Sequence, residues 1–374
     1  MPQFANIYRL GIKELWSLAR DPVMLVLIVY CFTVSIYIAA TAVPDSLDKV
    51  PIAIVDEDAS PLSARIGAAF YLPRFNPPVM ITQTEMDPGL DAGDYSFVLD
   101  IPPDFQRDVL AGHSPAIQLN VDATRMTQAF TGNSYIQQIA LGEVNDFVQH
   151  YRSSTPATVE LNLRARYNPN LEQSWFGALS EIINNVTMLA MILTGAALIR
   201  EREHGTIEHL LVMPVTPTEI MLAKVWAMGL VVLVAAAVGL LVMVQGLLRV
   251  PIQGSVPLFL AGTALHLFAA TSLGIFMATM ARSMPQFGML AVLILLPLQM
   301  LSGTFSPRES MPEFVQLVML AAPTTHFVAI GQATLFRGAG LAVIWPQFLT
   351  LVVIGAILFG FSLARFRKTI SEMA

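Results

Sequence analysis

His204, Glu208 and His209 come nearest to a reactive centre. Two imidazoles and a carboxylate this close could hold zinc and activate a water. Their pattern, H-x-x-x-E-H, is one residue longer than the H-x-x-E-H of zinc enzymes. A helix, a proline-bounded turn and a second helix capped at Thr216 or Thr218 fits the segment better, so no metal is expected there. Asp56-Glu57-Asp58 does not continue into a calcium loop. His113 and His150 are isolated, and no Ser-His-Asp set stands out. No catalytic group is therefore expected. A different chemistry attaches to Glu181, Asn184, Asn185, Thr187 and Gln299, which interrupt strongly apolar stretches. Polar groups in such places face a bundle interior or a pathway, and Asn184, Asn185, Thr187 and Gln299 are the candidate pathway-lining residues. Simple hydrogen bonding between helices is the alternative.

The elements that must position these residues are long apolar helices. A bilayer is crossed by roughly 20 apolar residues. Six segments qualify: 22–42, 176–199, 224–247, 257–280, 287–306 and 343–364. The first is separated from the other five by a mostly polar stretch. Apolar residues make up 55% and charged residues 13% of the chain, and mean hydropathy is +0.61. Soluble domains carry about 25% charge, so a soluble enzyme is excluded. The single cysteine, Cys31, allows no intrachain disulfide and reads as a packing residue.

Lys and Arg near the span ends give an orientation. Arg9, Lys13, Arg20, Arg200, Arg202, Lys224, Arg282, Arg365, Arg367 and Lys368 fall on one side, against Arg249, Arg308 and Arg337 on the other. The first side is expected to be cytoplasmic, with both termini there. Ala40-Thr41-Ala42 fits a signal cleavage site, but the apolar run before it exceeds the about 7–15 residues of a signal peptide. An uncleaved anchor is expected. Residues 1–21 precede it as an interfacial helix along the inner leaflet, with Phe4, Ile7, Tyr8, Ile12, Leu15, Leu18 and Ala19 on one face.

The segment 43–174 is then outside. It holds 17 acidic and 8 basic side chains, which disfavours nucleic acid as a partner. Strands are expected at 50–56, 79–83, 95–101, 116–122 and 159–167. Helices are expected from Ser60-Pro61 to Tyr71, from Pro103 to Ala111, and from Thr124 to Tyr151. This alternation suggests a small α/β domain with a mixed sheet.

The run between the second and third spans carries a family resemblance. Glu201, Arg202, Glu203, Gly205, Thr206, Glu208, Leu210, Leu211, Pro214, Pro217, Glu219 and Lys224 resemble the cytoplasmic loop of ABC-2 type transporter permeases. A second match is Leu296-Pro297 with Leu301-Ser302-Gly303, then Pro307-Arg308-Glu309-Ser310-Met311-Pro312 and Pro323-Thr324-Thr325. The layout as a whole is similar to the YhhJ-like bacterial inner-membrane permeases. His326 stands where many relatives have another residue, and no proton-relay role is assigned to it.

The resemblance implies an ABC-2, type V exporter-like fold: one span, a periplasmic α/β domain at 43–174, then a transmembrane domain over 175–374. Within the latter, 200–223 would be the cytoplasmic coupling loop and 312–337 a pair of outer half-helices. Glu201, Arg202, Glu203, Gly205, Thr206, Glu208, Pro214, Pro217 and Glu219 would form the ATPase-coupling loop. No G-x-x-x-x-G-K-[ST] occurs. Leu301-Ser302-Gly303 superficially matches an ATPase signature loop but ends a span on the outer side. ATP is therefore expected on a separate ATPase subunit, with no cofactor in this chain. The resemblance also implies a second permease chain and, through tripartite exporters, a periplasmic membrane-fusion adaptor and an outer-membrane channel. The expected function is outward movement of an amphipathic or hydrophobic substrate, such as a drug, across the bacterial inner membrane. The alternatives are a receptor or a mechanotransmission subunit, whose outer domain senses or drives a partner without transport.

Overall fold

Helix caps written into the sequence punctuate the chain. Asp21, Ser60, Thr216 and Ser255 each accept a backbone N–H of the first turn that follows, with Pro at or next to the first helical position. The computed structural model describes residues 3–41, 49–122, 126–151, 173–203, 214–304 and 308–371. It begins with α1 (Phe4–Ala19), α2 (Pro22–Phe32) and α3 (Val34–Thr41). Next come β1 (Ile52–Asp56), α4 (Pro61–Ala68), β2 (Val79–Met80), α5 (Gln83–Ala92), β3 (Phe97–Ile101), α6 (Phe105–Ala111), β4 (Gln118–Val121) and α7 (Met126–Tyr151). Then follow α8 (Gln173–Glu203), α9 (Pro217–Val238), α10 (Val256–Met280), α11 (Met284–Met300), α12 (Glu313–Met319), α13 (Pro323–Gly331) and α14 (Leu341–Ser371). Short π-helical stretches, Gly239–Leu247 and Gln332–Phe336, continue α9 and α13.

The chain divides into two units, Met1–Val43 with Ala165–Ala374, and Pro44–Arg164. In the first unit α8 is central. Of its most apolar window 89% is buried within the chain, against 17% for α14, so α8 is sheathed by protein and α14 is peripheral. It packs on α3, α9, α10, α11 and α13. Small residues let backbones meet. A Cβ on Gly274 of α10 would lie 2.6 Å from the Met191 carbonyl oxygen, and one on Gly177 2.5 Å from that of Ala39.

Five segments among the described residues are long and apolar enough to cross a membrane: Pro22–Thr41, Trp175–Glu203, Pro217–Leu247, Val256–Met280 and Leu341–Thr369. The pair Glu313–Met319 and Pro323–Phe336, bent by 91°, passes the same test only when taken together. The expected span 287–306 appears as α11, which ends at Met300. At 1.5 Å per residue its 17 residues reach about 25 Å. Pro297 lies in its last turn, and Gly303, at φ +96°, turns the chain beyond it. The expected loop 200–223 is helical at both ends, because α8 runs to Glu203 and the Thr216 cap starts α9 at Pro217.

The second unit holds a four-stranded sheet ordered β2-β1-β3-β4, parallel except for the β3–β4 pair. Both faces of β1 are buried. Ile52 and Ile54 join Leu62, Ile66, Phe97 and Phe105, while Ala53 and Val55 meet Val98 beneath Met86 and Leu90 of α5. The acidic run has a structural use. Asp56 Oδ1 accepts the Ala59 N–H at 2.9 Å, Asp56 Oδ2 accepts the Ser63 hydroxyl at 2.8 Å, and Asp58 Oδ2 accepts the Gln106 N–H at 3.1 Å. Helix α5 was not foreseen. Its capping box, Thr82 with Glu85, is legible, but Pro88 and Gly89 inside it argue against a helix. The expected strand 159–167 lies outside the described residues.

Candidate functional site

The last residues of α8 bring opposite charges into a protein interior. Lys224, about two turns into α9, has 2% of its side chain exposed. Its Nζ lies 2.9 Å from Glu14 Oε1 of α1 and 2.7 Å from Glu201 Oε2 of α8. Lys13 Nζ completes the group, 2.7 Å from Glu201 Oε1 and 3.8 Å from Glu14 Oε1. Two ammonium and two carboxylate groups balance, which makes such burial tolerable. Burial raises the Glu14 carboxyl above its usual range, and Lys224 opposes that shift.

Helix α1 also docks on α9 through one of its sides. Phe4, Tyr8 and Trp16 are exposed, whereas Gly11, Glu14 and Leu18 face inward. Gly11 permits this approach, since a Cβ there would lie 2.0 Å from Trp226 Cζ2. Trp226 Nε1 donates to the Ile7 carbonyl at 3.2 Å, and its ring stacks parallel to Tyr8.

The neighbours of Glu201 grip further elements. Arg200 Nη1 lies 2.6 Å from Asp21 Oδ2, at the cap of α2. Arg202 Nη1 donates to the carbonyls of Ala278 (3.2 Å) and Ala281 (2.8 Å), at the C-terminus of α10. Glu203 Oε1 accepts the Met284 N–H at 2.8 Å, at the start of α11. A cation thus meets the negative end of one helix dipole and an anion the positive end of the next. Glu219 is buried and serves twice. Its Oε2 accepts the Thr216 N–H at 2.6 Å, and its Oε1 accepts the Gln3 N–H at 2.6 Å. Arg367 Nη2, near the end of α14, donates to Thr218 Oγ1 at 3.2 Å.

A family model described as an ABC-2 family transporter protein matches residues 22–364, which is most of the chain. The chain belongs to the ABC-2 transporter family. Among its relatives, the inner membrane transport permease YhhJ of Escherichia coli (strain K12) is 63% identical over 374 residues, covering 100% of both chains. The probable multidrug ABC transporter permease YbhR of the same organism is 27% identical over 369 residues, covering 98% of this chain and 100% of that one. A third, the probable multidrug ABC transporter permease YbhS, is 24% identical over 360 residues, covering 95% and 94%. The chain is a multi-pass permease of the inner-membrane type and not itself an enzyme. Permeases of this family normally work with an ATPase subunit.

In the permease, the candidate coupling residues divide by position. Glu201, Arg202, Glu203 and Glu219 reach elements of their own chain, as above. Pro214 sits in the turn before α9, and Pro217 is the first residue of that helix. Gly205, Thr206 and Glu208 lie outside the described residues, as do His204 and His209.

The four pathway candidates do not form one lining. Asn185 turns toward α2, its Nδ2 donating to the Cys31 carbonyl at 2.8 Å and to Glu181 Oε1 at 3.2 Å. Glu181 in turn accepts the Ser35 hydroxyl. Thr187 turns toward α10, its Oγ1 2.9 Å from His266 Nε2. Asn184 and Gln299 are the pair that adjoin, with Gln299 Nε2 3.5 Å from the Asn184 carbonyl oxygen. Successive residues point about 100° apart on a helix, which parts these side chains. Two residues escaped the sequence reading. His266 is fully buried and stacks on Phe327 with ring centroids 4.2 Å apart; a histidine inside an apolar span was the available signal. Glu14 had no local signal, because its partner Lys224 is 210 positions away.

Proposed function

We propose that this permease is one half of an ATP-driven exporter that moves an amphipathic or hydrophobic substrate, such as a drug, outward across the inner membrane. The supporting observation is the interlock at the end of α8. Four successive side chains there, Arg200 to Glu203, contact α1, the cap of α2, α9 and the facing ends of α10 and α11. A push delivered to this end moves all of those elements together instead of bending one. The segment 204–213 that follows is where an ATPase subunit would deliver it. The multidrug names of YbhR and YbhS support the substrate class. With no phosphate-binding loop of its own, the chain would work as two permeases with two ATPase subunits. A periplasmic adaptor and an outer-membrane channel would complete the route.

The test is Glu203→Lys in the complex with the ATPase. The new ammonium faces the positive start of α11 and removes the Met284 acceptor, at a cost of about 1 kcal/mol or more. The protein should insert and melt close to the wild type, while efflux and substrate-stimulated ATPase fall to the level of the isolated ATPase. Wild-type efflux removes this end of α8 from the mechanism.

The orientation follows the Lys/Arg asymmetry, with the Arg200–Glu203 end and both termini cytoplasmic and 43–174 periplasmic. The native Cys31 is buried and gives little background. In intact cells an impermeant thiol reagent should label a cysteine at position 154 and spare one at 371. The reverse pattern sinks the orientation.

A further inference from the structure

The far end of α8 borders a second feature. Phe176 and Glu201 are 25 residues apart on this helix, roughly 38 Å at 1.5 Å per residue. Beside Phe176 opens a cavity of about 1020 Å³ between the end of α11, α13 and the start of α14. That is at the upper end of the about 300–1,000 Å³ of ligand pockets. Its walls are mixed in a particular way. Phe176, Val328, Phe336 and Ile344 give it an apolar side. Arg308 and Arg337 give it two fixed positive charges, and no Asp or Glu among the described residues lines it.

Three lining residues also hold a buried polar atom without a hydrogen-bond partner among the described residues: Arg308 Nε, Thr325 Oγ1 and Gln347 Oε1. An unmade buried hydrogen bond is costly, so three around one cavity are unlike ordinary packing. Among the described residues the Arg308 guanidinium makes one long contact, Nη2 at 3.5 Å from the Gln316 carbonyl oxygen. Guanidinium groups suit carboxylate and phosphate oxygens, which accept two parallel N–H bonds. A cation would meet two like charges in surroundings partly withdrawn from water. A neutral ligand would leave the half-buried Arg308 charge without a counter-charge in the cavity.

We propose that this cavity binds the anionic head, carboxylate or phosphate, of an amphiphile whose hydrocarbon part lies on the apolar wall. Arg308 and Arg337 hold the charge, Thr325 donates to it, and a flip of the Gln347 amide by about 180° exchanges Oε1 for Nε2 and turns its N–H toward the same head. The proposal deepens the exporter reading by naming the substrate class, and it rests on that reading only in treating the ligand as cargo.

Binding is measured on the full chain in phosphatidylcholine nanodiscs, without ATP or the ATPase. The probe is dansyl-undecanoic acid, with dansyl-undecyl-trimethylammonium as the cationic match. The carboxylate probe should bind saturably, and the double variant R308Q/R337Q should weaken it at least tenfold. Arg308→Lys with Arg337→Lys should keep binding within a few-fold. Arg249→Gln, which removes another arginine away from the cavity, should change nothing. Arg337 is exposed, so Arg337→Gln alone keeps the test open if the double variant does not fold. Displacement by phosphatidylglycerol in the nanodisc assigns the ligand to the bilayer. Displacement by dodecyl phosphate alone assigns it to free amphiphiles. Equal binding of the cationic probe, or wild-type binding by R308Q/R337Q, overturns the proposal. Because no ATPase is present, that result leaves the exporter reading to the Glu203→Lys efflux measurement.

Discussion

Lys224→Met should destabilise the permease by about 3–5 kcal/mol, the cost of removing one partner from a buried ion cluster. The substitution fits the space of the lysine stem but leaves Glu14 and Glu201 facing each other beside Lys13. The detergent-solubilised protein should melt well below the wild type. Lys224→Met with Glu201→Gln restores neutrality, since Lys13 and Glu14 remain, and should recover much of the lost stability. The two variants together separate two roles. If the cluster only holds the bundle, efflux should return with stability in the double variant. If the cluster transmits the push, efflux should stay low although the protein is stable again. A single variant as stable as the wild type would show that the four charges are not coupled.

Removing residues 50–165 and joining the ends by a short flexible linker should abolish export while leaving a membrane-inserted protein that binds its ATPase. The two units have separate cores. Ile182, Val186 and Leu189 belong to one, and Ile54, Leu99 and Phe105 to the other. The helical unit also satisfies its backbone hydrogen bonds within its own helices. Its melting temperature should stay near the parent value. Export at the parent rate would mean that the sheet unit neither gates nor docks an adaptor, and the tripartite arrangement would fall with it.

How much of this was legible depended on distance along the chain. Caps are local, so Ser60-Pro61 and Thr216 announced their helices within a residue or two. Apolar runs are local as well, and five of the six expected spans appear close to the expected places, whereas 287–306 appears as the shorter α11. Helix α5 was hidden because Pro88 and Gly89 oppose the Thr82 box, and burial of Met86 and Leu90 outweighs them. The roles of α1 were half legible. Its amphipathic spacing suggested a helix lying on lipid, and Glu14 adds a docking on protein that the spacing did not announce. That pairing joins positions 14, 201 and 224, and no pattern within a single segment could reveal it. The contacts that Glu201, Arg202 and Glu203 of the expected coupling loop make within the chain were hidden for a similar reason. The acceptors at Ala278 and Ala281 and the donor at Met284 are backbone groups, which side-chain motifs do not display.

The close seat of Trp226 against Gly11 gives this protein an optical gauge. The indole is wedged against the backbone of α1 and donates to the Ile7 carbonyl, so its surroundings change as soon as α1 lifts away. There are only four tryptophans in the chain. With Trp16, Trp175 and Trp345 replaced by phenylalanine, the emission wavelength of the remaining one reports whether α1 is seated. The seating could then be followed in real time through a cycle of ATP turnover, without attaching a dye.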